Sequence, residues 1–122
     1  MGDLTLNFDR SEFACKCGCG KNDIKDELAF KIQVVRELIK RPISINSGIR
    51  CLAHNTANNS KPTSSHIDGW AADLGYKGSM ERYTLLSAIT QVFDRVGVAN
   101  TFIHVDIDKD KSQNVIWTYK NK

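Results

Sequence analysis

The 122-residue sequence has no long hydrophobic run and no cluster of basic residues. A membrane-spanning helix needs about 20 consecutive, predominantly apolar residues, and no stretch of the sequence approaches that length. The formal net charge of +3 is spread along the chain, so it supports only weak attraction to an anionic partner. We therefore expect neither a membrane span nor a nucleic-acid partner.

Several common functional motifs are also missing. The sequence has no glycine-rich phosphate loop and no nucleophilic serine elbow. Residues 106–112, DIDKDKS, begin like a calcium loop, but Lys111 stands where glycine is needed and Trp117 where the closing glutamate is needed. Phosphate binding, serine hydrolysis and an EF-hand calcium site are therefore not expected.

The composition is that of one globular domain. Apolar residues make up 41% of the sequence and charged residues 25%, which argues against disorder and against a fibrous repeat. This length allows one buried core but not a catalytic unit with a separate binding module, so we expect a single domain over 1–122. The opening MGDLTLNFDR lacks the basic leader and apolar core of a signal peptide, which predicts synthesis in the cytoplasm.

Three of the four cysteines are crowded into CKCGCG; the four are Cys15, Cys17, Cys19 and Cys51. Their spacing matches neither a CxxC redox motif nor a zinc knuckle. Because no export signal is recognised, we interpret them as thiols. A Cys15–Cys51 disulfide and a small structural zinc site are the alternatives.

Hydrophobic periodicity predicts helices beside a sheet. Apolar residues recur every three or four positions from Ile24 to about Ile39, which predicts an amphipathic helix. A second helix is predicted with Ser79 as its cap and Gly97 following its end, and with its inner face formed by Tyr83, Leu86, Ile89, Val92 and Phe93. Strands are predicted at 43–46, 70–74, 101–108 and 114–119, the last two joined by a hairpin turn at 109–113. The predicted fold class is α+β, with a small, mostly antiparallel sheet and helices packed beside it.

Two of the three histidines stand in unusual settings. His66 precedes Asp73 by seven positions in SSHIDGWAAD, residues 64–73, and Asp73 lies in an apolar segment where an unpaired carboxylate is costly to bury. Alternation places His104 on one strand face with Asp106 and Asp108.

A catalytic zinc ion takes three ligands from His, Asp, Glu and Cys and leaves a fourth position to water. We therefore predict that His66, Asp73 and His104 bind one Zn²⁺. Taken singly, the residues also fit a simpler interpretation. In that interpretation His66 is a solvated loop histidine, His104 is a hydrogen-bonded sheet histidine, and Asp73 pairs with a nearby arginine.

The pattern S-x-H-x-x-G-x-A-x-D, formed by residues 64–73, resembles the signature of the zinc D-alanyl-D-alanine carboxypeptidases. Their relatives include the phage L-alanyl-D-glutamate endolysins, and the resemblance implies a hedgehog-like zinc peptidase fold. FIHVD at 102–106 resembles the strand with the third ligand, and INSGIRCLAHN at 45–55 resembles the S-G-x-R segment. NFDRSEFACKCGCG at 7–20 is similar to the opening of short phage and bacterial members.

The resemblance also implies roles for single residues. It assigns metal binding to His66, Asp73 and His104. It assigns binding of the substrate's carbonyl or carboxylate to Arg50, because a guanidinium group donates paired hydrogen bonds to such oxygens. His54 and Ser64 are further candidates for substrate binding, each with a purely structural role as the alternative.

The general base is the point where the sequence departs from the family pattern. Many relatives carry an acidic residue three positions before the last histidine, where this chain has Thr101. We predict that Asp106 acts as the base instead, with orientation of His104 as its alternative role.

Together these expectations describe a zinc-dependent peptidase, active as a monomer, that hydrolyses an amide bond in peptidoglycan stem peptides. It is a D-Ala-D-Ala carboxypeptidase or an endolysin-type endopeptidase, and it reaches the cell wall only if another factor releases it. The alternative, suggested by Thr101, is a zinc-binding module without catalysis that serves in wall binding or phage assembly.

Overall fold

The computed structural model describes residues 2, 4–16, 19, 21–51, 66 and 69–119. Within these residues a 3₁₀ turn, Arg10–Phe13, precedes helices α1 (Asp26–Ile39) and α2 (Gly78–Ile89). The strands are β1 (Ser44–Ser47), β2 (Ala71–Gly75), β3 (Arg95–Val98), β4 (Phe102–Asp106) and β5 (Val115–Thr118). They form one sheet in the order β1-β2-β4-β3-β5, antiparallel except for β3 with β5. The predicted α+β class is confirmed.

The predicted hairpin between 101–108 and 114–119 is wrong. After β4 the chain crosses β3, and β5 pairs in parallel with the far edge of β3, so the polar residues 109–113 belong to a crossing connection. The polar composition indicates a turn correctly, but it carries no information about which strand the chain pairs with next.

Helix α2 ends earlier than its apolar spacing predicts. Its last residue is Ile89, and Val92 and Phe93 lie in the connection to β3. Both predicted bounds are wrong, because Ser79 lies inside the helix and Gly97 lies in β3. Tyr83 does not belong to the inner face, because its side chain is 76% exposed whereas Leu85 is buried. The apolar residues of the connection continue the helical spacing, which hides both the end of the helix and the start of β3.

The core lies between the helices and one face of the sheet. Helix α1 contributes Leu28, Ile32 and Val35, and it ends where Lys40 takes a left-handed conformation just before Arg41-Pro42. From the sheet, alternate residues of β2, β3 and β4 join the same cluster: Ala72, Leu74, Val96, Ile103 and Val105. No helix in the described residues is long and apolar enough to cross a membrane.

The opposite face carries one row of residues across all five strands. Ser47, Asp73, His104, Gly97 and Trp117 are successive register partners from β1 to β5. Because Gly97 has no side chain, the indole of Trp117 lies over it, and the indole ring is centred 5.4 Å from the imidazole of His104. The row therefore places Asp73 on one side of His104 and the indole of Trp117 on the other.

We predict that Gly97→Ala lowers the free energy of unfolding by about 1–3 kcal/mol through overpacking. A Cβ at this position would lie 2.5 Å from Nε1 of Trp117, so the indole would have to move away from His104. Urea unfolding measures the stability. Emission in a Trp70→Phe background reports on Trp117 alone, since the chain has two tryptophans. Unchanged stability together with unchanged emission would contradict this packing.

Candidate metal centre

The structure brings the three predicted metal ligands together, and we call His66, Asp73 and His104 the ligand trio. Nε2 of His66 lies 3.3 Å from Nδ1 of His104 and 3.3 Å from Oδ1 of Asp73. Nδ1 of His104 lies 3.1 Å from the same oxygen. Zinc bonds of about 2.0–2.1 Å in a tetrahedron separate the ligand atoms by about 3.3 Å. The trio therefore has the donor types and the spacing of three ligands around one Zn²⁺.

Sheet register and one loop contact position these side chains. Asp73 and His104 are direct partners across β2 and β4, so their side chains leave the sheet on the same face. His66 comes from outside the sheet, and its Nδ1 lies 2.6 Å from the carbonyl oxygen of Gly48. Because a carbonyl only accepts, Nδ1 carries the hydrogen, and the lone pair of the neutral ring is left on Nε2, toward the trio.

Asp106 lies behind His104. Its Oδ2 is 2.7 Å from Nε2 of His104, the ring nitrogen that does not face the trio. Its Oδ1 accepts a hydrogen bond of 2.6 Å from Nε of Arg95, and the residue is 2% exposed. Both carboxylate oxygens are thus engaged away from the facing ligand atoms, in the arrangement by which carboxylates orient metal-binding histidines.

Arg95 is a member of the site that the sequence patterns do not identify. It is the register partner of Asp106 across β3 and β4. It also donates from Nη1 to the carbonyl oxygen of Ser112 and stacks over Trp117 at 5.0 Å. Prediction of a strand at 95–98 could have identified Arg95, because that strand would place an arginine beside the strand of His104.

Arg50 lies beside the trio, as the resemblance implies. Its Nη2 is 3.3 Å from Oδ2 of Asp73, and its Nε donates to the hydroxyl of Ser47 at 3.2 Å. Asp73 therefore contacts the two histidines through one oxygen and an arginine through the other.

His54 and Ser64, the two further substrate-binding candidates, lie outside the described residues. Asp108 belongs to the turn after β4, where its side chain accepts from the backbone of Asp110 and pairs with Lys111. Thr101 is exposed and directly precedes β4.

The charges of the site shift its pKa values in opposite directions. Burial alone would raise the pKa of Asp73, but hydrogen bonds from His104 and His66, and the positive charge that these rings carry when protonated, hold it well below its ordinary value. Burial alone would lower the pKa of His104, but Asp106 and Asp73 on its two sides raise it. The site thus keeps an ionised carboxylate and favours positive charge beside it. A metal ion bound here would replace a proton on His104.

Aromatic side chains lie next to the trio. The rings of Trp117 and Tyr119 are centred 6.4 Å apart, and Tyr119 lies 5.7 Å from the ring of Phe102. Burial and the negative charges of Asp73 and Asp106 raise the pKa of Tyr119, opposed by its hydrogen bond with Trp117 and the charge of Arg50. The open face of the sheet thus combines charged groups with an aromatic wall.

A family model described as Peptidase M15 matches residues 6–106, a range that includes the ligand trio, Arg50 and Asp106. No curated protein matches the sequence. The family match confirms the resemblance at the level of the zinc peptidases, and it spans most of the chain. The chain belongs to the Peptidase M15 family, whose members are zinc-dependent peptidases.

Proposed function

We propose that this protein is a zinc peptidase that hydrolyses an amide bond in the stem peptides of peptidoglycan. The observation that carries the proposal is the ligand trio, three buried donors 3.1–3.3 Å apart within the region that matches the Peptidase M15 family. The substrate class is supported by the S-x-H-x-x-G-x-A-x-D motif, which resembles that of the D-alanyl-D-alanine carboxypeptidases and L-alanyl-D-glutamate endolysins.

The ligand trio would hold the ion, and a bound Zn²⁺ supplies Lewis acidity that polarises the scissile carbonyl and activates water near neutral pH. Arg50 binds the substrate's carboxylate or the developing oxyanion, because its planar guanidinium presents paired N–H donors. Ser47 and Asp73 hold it on the same side of the sheet as the trio.

Asp106 positions His104 in this proposal, the second of the two roles considered for it. Its carboxylate is bonded to His104 and Arg95 on the far side of the imidazole. A general base must reach the proton that it removes, either directly or through one water. The observed contacts support orientation of the ring and an increase in its basicity, rather than contact with the reacting water.

A module that binds zinc and cell wall without catalysis is the second candidate. The observation that favours it is Thr101, which stands at the position where many relatives carry an acidic base. The two candidates differ in one measurable respect, since only the peptidase releases new termini from its substrate.

We predict that the purified protein releases new amino or carboxyl termini from peptidoglycan fragments when zinc is present. A chelator should abolish the release and added Zn²⁺ should restore it. His104→Ala should be inactive because it removes one donor of the trio, whereas Asp110→Ala, an exposed turn residue, serves as the matched control. Peptides ending in D-Ala-D-Ala and peptides with an internal L-Ala-D-Glu bond identify the cleaved bond by mass. Wall binding without release would support the module instead.

We predict that Asp106→Asn weakens zinc affinity by about 10–100-fold, the usual effect of losing an outer carboxylate partner of a metal-binding histidine. Excess zinc should then restore most of the activity. Asp108→Asn, two residues along the chain, is the control. If the variant instead binds zinc normally and excess zinc restores nothing, Asp106 acts as the base and the positioning role is wrong.

We predict that Arg50→Lys lowers kcat/KM by about 10–100-fold, the equivalent of one or two charged hydrogen bonds, with zinc content unchanged. Lysine keeps the charge but loses the planar fork. Arg41→Lys, at an exposed position, should keep wild-type activity. Steady-state kinetics and metal analysis on the same samples test both points. Activity equal to wild type would remove Arg50 from substrate binding.

A further inference from the structure

A second cluster of metal-binding atoms lies apart from the ligand trio and shares no residue with it. The sulfur atoms of Cys15, Cys19 and Cys51, which we call the cysteine cluster, all lie within 4.8 Å of one another. Cys15 and Cys19 follow the 3₁₀ turn, whereas Cys51 follows β1, 36 positions after Cys15. The fold therefore brings together thiols from two distant segments.

The spacing of the sulfur atoms fits zinc ligation. Sγ of Cys15 and Sγ of Cys51 are 3.8 Å apart. A tetrahedral zinc ion with bonds of about 2.3 Å to sulfur separates its sulfur ligands by about 3.8 Å. Thiolates are also the ligands that favour zinc and other soft metals over magnesium or calcium.

We propose that Cys15, Cys19 and Cys51 bind a second, structural Zn²⁺. Cys17 stands between the first two in the sequence but lies outside the described residues, so the proposed site consists of the three described thiols. Cys15 is buried, Cys51 is partly buried and Cys19 is exposed, an arrangement that gives the ion access from solvent at one side.

A backbone amide also contacts one sulfur atom of the cluster. The amide of Cys51 donates to Sγ of Cys15 at 3.4 Å, and amide donors to sulfur stabilise the thiolate form that binds metal. The amide of Cys15 in turn donates to the carbonyl oxygen of Lys21 at 2.7 Å, which closes the loop that carries Cys19. Hydrogen bonds of the backbone therefore hold Cys15 at the cluster from both segments.

The cysteine cluster joins two segments that already approach closely. The amide of Ile49 donates to the carbonyl oxygen of Phe13 at 2.9 Å. A side chain at Gly48 would place its Cβ 2.4 Å from that oxygen, so only glycine permits the approach. A metal ion at the cluster would link the segment after the 3₁₀ turn to the segment after β1 through coordination bonds, where neither segment has regular secondary structure.

This junction also supports the ligand trio. The carbonyl of Gly48 holds the ring of His66, and the amide of Arg50 donates to the carbonyl oxygen of His66 at 2.9 Å. Cys51 follows Arg50 directly in the chain. A metal ion at the cysteine cluster would therefore hold the backbone that places both Arg50 and His66.

The test uses the full chain loaded with Zn²⁺ under reducing conditions, with metal content measured after removal of loose ions. We expect two zinc ions per chain. We expect one in Cys19→Ser and in Cys51→Ser, one in His66→Ala, and none in His66→Ala combined with Cys51→Ser. Cys19 is exposed, so Cys19→Ser folds even if a change at buried Cys15 does not.

Cobalt distinguishes the two sites by their ligands. Co²⁺-loaded protein should show sulfur-to-cobalt charge-transfer absorption in the near ultraviolet, retained in His66→Ala and lost or reduced in Cys19→Ser and Cys51→Ser. In the His66→Ala background, zinc should still raise the Tm, because the cysteine cluster stabilises the fold without the trio.

Three results would overturn the proposal. The first is one zinc ion per chain with no charge-transfer band in the wild type. The second is a Cys19→Ser variant that keeps two ions and an unchanged band. The third is an intact mass that shows a Cys15–Cys51 disulfide under reducing conditions. The ligand trio is tested separately, by the metal content of His66→Ala and by peptide release.

Discussion

The pairing register of β2 and β4 is the constraint on which the site depends. It sets Asp73 opposite His104 on the face that points away from the helices. A slip of either strand by one residue would turn its polar side chain into the core and bring its apolar neighbour, Leu74 or Ile103, out. The hydrophobic pattern of the two strands therefore holds the register. The core and the candidate metal centre are therefore two faces of one pairing.

The ionisable side chains of the site are tolerated in a buried position because acidic and basic groups alternate along it. Arg50, Asp73, His104, Asp106 and Arg95 form a chain in which each carboxylate lies between groups that carry or accept positive charge. In the described part of the chain, every buried side-chain nitrogen and oxygen has a hydrogen-bond partner. A buried charge without such a partner would be costly, so removal of one member affects its neighbours as well. Because of this coupling, both the zinc affinity and the reaction rate of Asp106 variants have to be measured.

The sequence allows good prediction wherever local pattern decides the structure. Helix α1 follows from apolar spacing and from the stop at Arg41-Pro42, and β4 follows from strict alternation. Its alternation also predicts that His104 and Asp106 share a face. What the pattern does not contain is long-range pairing: β3 with β5, and Arg95 beside Asp106. The role of Asp106 is a case in point, because it depends on which ring nitrogen the carboxylate meets.

The position of His66 shows why residues 48–51 matter beyond their own side chains. His66 lies outside the sheet, so strand register cannot place it, and its imidazole is oriented by a backbone carbonyl at Gly48. That carbonyl is held in turn by the contact of the next residue, Ile49, with the 3₁₀ turn. A displacement of this backbone would rotate the imidazole of His66 although all three ligand residues were still present. Metal-ligand geometry tolerates only small displacements. The position of the His66 ring therefore depends on how tightly the 3₁₀ turn is joined to the segment after β1. Each of these two segments is followed by cysteines of the cluster, Cys15 and Cys19 after the turn and Cys51 after β1.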